Sequence, residues 1–166
     1  MRIKTLILGI CFLWVLQSSS FAEKAVALKQ EDAPLKITGY KNKYGAAYRS
    51  GYEITHSVTC ANVSEKKIVA VKIGIVAFDA FNEFLGRFAG ISIGDVIAGK
   101  PKKFSWSQSP YGVFKFEKYG TGVVYVKTVR FGDGIIWEVD TAEVVFQIQE
   151  IQEGFTADLL EEKKEK

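Results

Sequence analysis

His56 is the only histidine in a chain of 166 residues. Its imidazole is the one side chain with an ordinary pKa near neutrality, so general acid–base chemistry would have to run through it. A Ser–His–Asp arrangement could in principle draw Ser57 or Asp133 to it by folding. His56 alternates, however, with Tyr52, Ile54, Val58 and Cys60. That pattern predicts a packed, hydrogen-bonded ring on the apolar side of a strand, and no catalytic residue is assigned. Cys60 shares the face. A reactive thiolate needs an accessible, electropositive setting, so the spacing predicts a small buried side chain instead.

Metal chemistry has equally few candidates. Zinc takes about four Cys, His or carboxylate ligands, and His56 with Cys60 does not supply them. Asp79, Asn82 and Glu83 crowd one stretch and Asp95 lies in another, without the spacing of a calcium loop. The expectation is polar turns, no metal and no cofactor. Asn62-Val63-Ser64 spells a glycosylation sequon and reads as chance. The aromatic run is more suggestive: Tyr111, Phe114, Phe116 and Tyr119 fall within nine residues, between Pro110 and Gly120. Clustered exposed aromatics mark interaction sites, so these four are the candidate binding residues. The competing expectation is a strand over 113–118 whose aromatics are core.

The elements that position these residues begin after a leader. Arg2 and Lys4 precede an uncharged, apolar run from Leu6 to Leu16, followed by Ser20 and Ala22 at the two positions a signal peptidase reads. This is the pattern of a secretory signal peptide over 1–22. An 11-residue helix spans roughly 16 Å, about half a bilayer core, so no integral span is expected once it is cleaved. Without Arg2 and Lys4, the 22 basic residues fall to near parity with the 19 acidic ones. A near-neutral chain lacks the electrostatic footprint of a nucleic-acid binder. The expected location is periplasmic or secreted, and the expected partner is another envelope or extracellular protein.

Residues 23–34 are polar, lack alternation and read as a flexible lead-in. From Leu35 to about Asp140, short β-branched and aromatic runs are broken by Gly, Ser, Asn and Lys, the mark of an all-β domain. Ile68–Phe78 is apolar on both faces and predicts a central, doubly covered strand. Phe84–Ile93 carries Gly86 and Gly90, which predicts a bulge or an edge. Strands are also expected over 52–60, 103–107 and 122–131. Gly132-Asp133-Gly134 is a hairpin turn. About seven strands at this spacing predict an immunoglobulin-like antiparallel β-sandwich, with a small closed barrel as the alternative. In 141–166 the period changes. Val144, Ile148, Ile151 and Phe155 share one helical face behind a cap at Asp140, although Val144, Phe146 and Ile148 also alternate as a strand would. Leu159-Leu160 and the charge run from Glu161 to Lys166 read as a solvated or frayed tail.

Ile75-Val76-Ala77-Phe78-Asp79, with Asn62-Val63-Ser64 upstream, resembles the FxLYD-type group of bacterial extracytoplasmic immunoglobulin-like domains. Phe78 takes the aromatic position and Asp79 the acid, while Ile75 and Ala77 stand where the motif prefers Phe and Leu. Gly99-Lys100-Pro101 and Phe104-Ser105-Trp106 are similar to that group's turn and following strand, and 129–137 to the closing hairpin of related exported domains. The resemblance spans Ile54 to Trp137. It implies a sandwich, an exported location, no inherited active site and an interaction or accessory role. An acid ending a buried strand can also accept hydrogen bonds from the following turn, which predicts a structural role for Asp79. The functional expectation is an exported non-enzymatic binding or accessory module. The alternatives are an envelope enzyme or enzyme inhibitor, and a self-associating structural subunit.

Overall fold

Strand β3 (Gly51–Asn62) follows the period of two. Ile54, His56, Val58 and Cys60 are buried, while Glu53, Thr55, Ser57 and Thr59 are half-buried on the other face. The computed structural model describes residues 24–47, 51–108 and 119–161. In it β3 pairs antiparallel with β2 (Leu35–Ala47) on one side and β6 (Pro101–Gln108) on the other. The outer face of this sheet is polar, with Thr55 opposite Ser107 and Ser57 opposite Ser105.

The second sheet is built on β4 (Ile68–Asp79), which lies between β5 (Phe84–Val96) and β7 (Tyr119–Phe131), both antiparallel to it. Strand β8 (Ile136–Glu138) returns along β7 through a turn in which Gly134 takes φ 89°. The orders β2-β3-β6 and β5-β4-β7-β8 correspond to A-B-E and C′-C-F-G of an immunoglobulin sandwich. The expected all-β sandwich is therefore the fold. Strand β5 is an edge, and its register with β4 shifts between Ala77 and Phe78, opposite Gly86 at φ 151°.

Strand β4 explains its own composition. Ile68, Val71, Ile73 and Ile75 pack between the sheets against Val58, Cys60, Phe104, Val124 and Val126. Val76 and Phe78 face the opposite way, into a second core. Helix α1 (Thr141–Gln149) covers them with Val144 and Ile148, and Phe155 and Leu160 follow from the chain beyond. Asp140 caps α1 by accepting from the Ala142 amide at 2.9 Å. The helical reading holds over Thr141–Gln149, where the apolar stripe has a surface to cover, but Ile151 and Phe155, expected on the same helical face, reach the second core from beyond the helix. The end of the segment differs from the expected solvated tail: a 3-10 turn at Ala157–Leu159 carries Leu160 into the second core.

The lead-in also differs. Lys24–Ala27 forms β1, which runs parallel to β7, so the sandwich is not wholly antiparallel and has eight strands among the described residues. Leu28 and Ala33 are buried. The segment lacks alternation because it is held by backbone and amide hydrogen bonds more than by an apolar face. The expected leader, residues 1–22, lies outside the described residues.

Candidate functional site at one end of the sandwich

One end of the sandwich gathers the start of β3 and β7, the ends of β4 and β6, and the turn from β4 to β5. Asp79 organises that turn. Its carboxylate Oδ1 accepts from the amides of Phe81 at 2.8 Å and Glu83 at 2.9 Å, the structural role expected of it. Asn82 adopts φ 62°, a left-handed conformation that Asn tolerates better than most residues. The result is a fixed turn that displays Phe81 at 86 % exposure. Sequence reasoning passed over Phe81. The available signal was a large aromatic enclosed by turn residues, with no alternation to give it a buried face.

Beneath this turn lies a buried polar cluster centred on His56. The ring stacks against Tyr40 and Phe88, with centroids 6.1 and 5.9 Å away. Its Nε2 meets Gln108 Oε1 at 3.2 Å, and its Nδ1 meets the Tyr40 hydroxyl at 2.9 Å. A carbonyl oxygen can only accept, so Nε2 carries the proton and Nδ1 accepts from Tyr40, an assignment made from the partners. Burial pushes the His56 pKa down to about 4, only partly opposed by the hydrogen bond to Gln108. Asn42 Nδ2 donates to the Tyr119 hydroxyl at 2.6 Å. Gly122 makes room for this convergence: a side chain there would collide with the Tyr119 hydroxyl and stand 2.5 Å from that of Tyr40.

The side chains of this cluster hold one another in fixed partnerships. His56 is fully buried and both its nitrogens have partners. Ser57 lies on the opposite face against Ser105, and Asp133 sits beyond Phe131 at the other end, paired with Lys66 at 2.8 Å. Neither therefore completes a triad. Gly90-Ile91-Ser92-Ile93-Gly94 has the spacing of a nucleophile elbow, a motif the periodicity passes over. Here it lies inside the extended strand β5, without the strand–turn–helix that makes the elbow work. Cys60 is buried, and desolvation pushes its thiol up to about 12, the inert state expected of it.

Tyr119 is the one candidate binding residue within the described span. Its ring is buried with Ile54 and Ala77. Tyr111, Phe114 and Phe116 lie outside the described residues. The residues that flank 109–118 both end in the polar network, Gln108 on His56 and Tyr119 on Asn42. Among the described residues no three His, Cys, Asp or Glu side chains gather as metal ligands. The Asn62 amide is buried, donating to the Lys66 and Val96 carbonyls at 2.8 and 2.9 Å. In the folded chain the sequon therefore has no accessible acceptor.

No family model and no curated protein matches this chain in sequence. Solved structures do resemble it. A hypothetical protein from Peptoclostridium difficile 630, known from a 1.85 Å X-ray structure, superposes with a TM-score of 0.51 at 14 % identity, covering 76 % of this chain and 95 % of that one. A Northeast Structural Genomics Consortium target, SoR45, reaches a TM-score of 0.43 at 11 % identity, over 64 % of this chain and 80 % of its own. At such identity the first of these is a likeness of fold alone.

Proposed function

We propose that this chain is an exported, non-enzymatic binding or accessory module that engages a protein of the envelope or extracellular space through the aromatic end of its sandwich. One observation carries the proposal: Phe81 stands almost fully exposed on a turn that the Asp79 carboxylate holds rigid. An aromatic side chain presented at low conformational cost is the kind of anchor that dominates protein interfaces. At the same end the His56 ring and the Asp79 carboxylate are engaged within the fold. The leader pattern over 1–22 supports export, and the likeness to the FxLYD-type group supports an accessory role. Tyr111, Phe114 and Phe116 remain candidate contacts on the strength of their spacing in the sequence.

The test is substitution with the fold monitored. Phe81→Ala, and separately Tyr111→Ala with Phe114→Ala, should leave the melting temperature unchanged. Each should weaken capture of the envelope partner about tenfold or more, the cost of losing an interface anchor. Unfolding of the Tyr111/Phe114 variant would make those residues core. Undiminished capture by both variants would remove the aromatic end from the interface.

A further inference from the structure

The opposite end of the sandwich has a different surface. Three connections meet there: the β3–β4 turn, the turn from β5 into β6, and the β7–β8 turn. They are laced together by Gly132 N to Lys67 O and Gly99 N to Asn62 O, both at 2.9 Å, and by the pairs Lys66–Asp133 and Lys67–Asp95, both at 2.8 Å. On and beside these turns stand Val63, Ile93, Ile97, Ile135 and Ile136. Ile93 is 85 % exposed and the others more than half exposed. Single exposed aliphatics need no explanation, but five of them around one end form a surface with a use.

We infer that this end seats on an anionic lipid surface, with the aliphatic side chains entering the headgroup region and the surrounding lysines meeting the phosphates. Composition decides between a lipid and a protein occupant. Protein interfaces are enriched in aromatics and Arg and depleted in Lys, and their energetic anchors under-represent aliphatics such as Leu and Val. This end is aliphatic and rich in Lys, the combination by which proteins hold to a charged bilayer surface. Lys36, Lys66, Lys67, Lys100, Lys102, Lys103 and Arg130 surround it, against Glu31, Asp32, Glu65, Asp95 and Asp133. The positive bias is concentrated where Ile97 stands, since Lys100, Lys102 and Lys103 follow it with no carboxylate between. Lys66 and Lys67 flank an open depression of about 420 Å³ that Val69, Gly132 and Asp133 also border. Exposed ion pairs hold their partners weakly, so both lysines can exchange a carboxylate for a phosphate. Seated this way, the chain would turn Phe81 and the aromatic end away from the membrane. The inference does not depend on what that end binds.

Vesicle cosedimentation tests it. The protein is the chain from Glu23 onward, which keeps every described residue and omits the apolar run that would bind lipid by itself. Vesicles of phosphatidylglycerol with phosphatidylethanolamine are compared with vesicles of phosphatidylcholine alone. Binding to the anionic vesicles is expected, weakening as salt is raised. It should fall about tenfold or more in Ile97→Ser/Ile135→Ser/Ile136→Ser and in Lys100→Glu/Lys103→Glu. All five positions are exposed, so both variants should melt as the parent does. No binding, equal binding to both vesicle types, or full binding by the serine variant would overturn the inference. So would a self-association in light scattering that the serine variant abolishes while vesicles are ignored, because the surface would then be a contact between copies. None of these outcomes touches partner capture through Phe81, which is measured separately.

Discussion

His56 shows how one residue's chemistry is spent on the fold. Its folded pKa lies near 4, while the unfolded chain titrates near the ordinary imidazole value of 6.5. Between those values the unfolded chain holds the proton and the folded one does not. Stability therefore rises with pH across the window, is complete above about 6.5, and is lost as pH falls towards 4. The full swing is about 3 kcal/mol. Denaturant melts from pH 4.5 to 7.5 should show this slope, and His56→Phe should flatten it. An unchanged slope in the variant would assign the acid sensitivity to carboxylates. The alternation over Tyr52–Cys60 was enough to place His56, Val58 and Cys60 inside. It could not name the partners, because Tyr40 and Gln108 lie 16 and 52 residues away and meet His56 only through strand register. Asp79 was legible for the opposite reason. Its partners are the amides of its own turn, so its role is written within five residues of sequence.

At the scale of elements, the outer edge of β7 is the instructive case. An uncovered edge exposes unpaired amides and carbonyls and invites pairing with other chains. Here β1 covers Thr121–Val124 and β8 covers Thr128–Arg130. The Gln30 side chain closes the interval. Its Oε1 accepts from the Val126 amide at 2.7 Å and its Nε2 donates to the Val126 carbonyl at 2.9 Å, so a carboxamide stands in for one residue of strand. Gln30→Ala should cost about 1–3 kcal/mol, the penalty of leaving the amide and carbonyl of buried Val126 without these partners. It should also speed hydrogen exchange at Val126 more than at Val71, which lies in the middle of the sheet. Equal protection at Val126 in variant and parent would show that water replaces the carboxamide without loss. Strands β4, β7 and the helix were legible because each carries an apolar run or stripe of its own. Strand β1 was not, since parallel pairing of four mostly exposed residues leaves no period to read. Phe81 escaped similarly: its turn carries no period, and only its enclosure by turn residues marks it as displayed.

Taken whole, the molecule is a sandwich with a second core on its back, and β4 belongs to both. Phe155 is the keystone of that second core. It is fully buried, edge-on to Phe78 and Phe84 at centroid distances of 5.9 and 5.8 Å, and its carbonyl accepts from Gln149 Nε2 at 2.9 Å. If the C-terminal segment were a solvated appendage, removing it would leave the melting temperature where it was. With Val144, Ile148, Phe155 and Leu160 buried against the sheet, truncation after Val139 instead bares Val76, Phe78, Val123 and Tyr125 at once. A mesophilic domain holds only about 5–15 kcal/mol in total, so the truncated chain should be largely unfolded at 25 °C and bind a hydrophobic dye. Phe155→Ala is the milder form of the same experiment. It should cost about 3–5 kcal/mol, the range for emptying a packed aromatic site, and should lower both cores in a single transition because β4 carries strain from one to the other. Two separate transitions would mean that the cores fold independently. In that case the helix would be a cover that can lift away without disturbing the sandwich beneath.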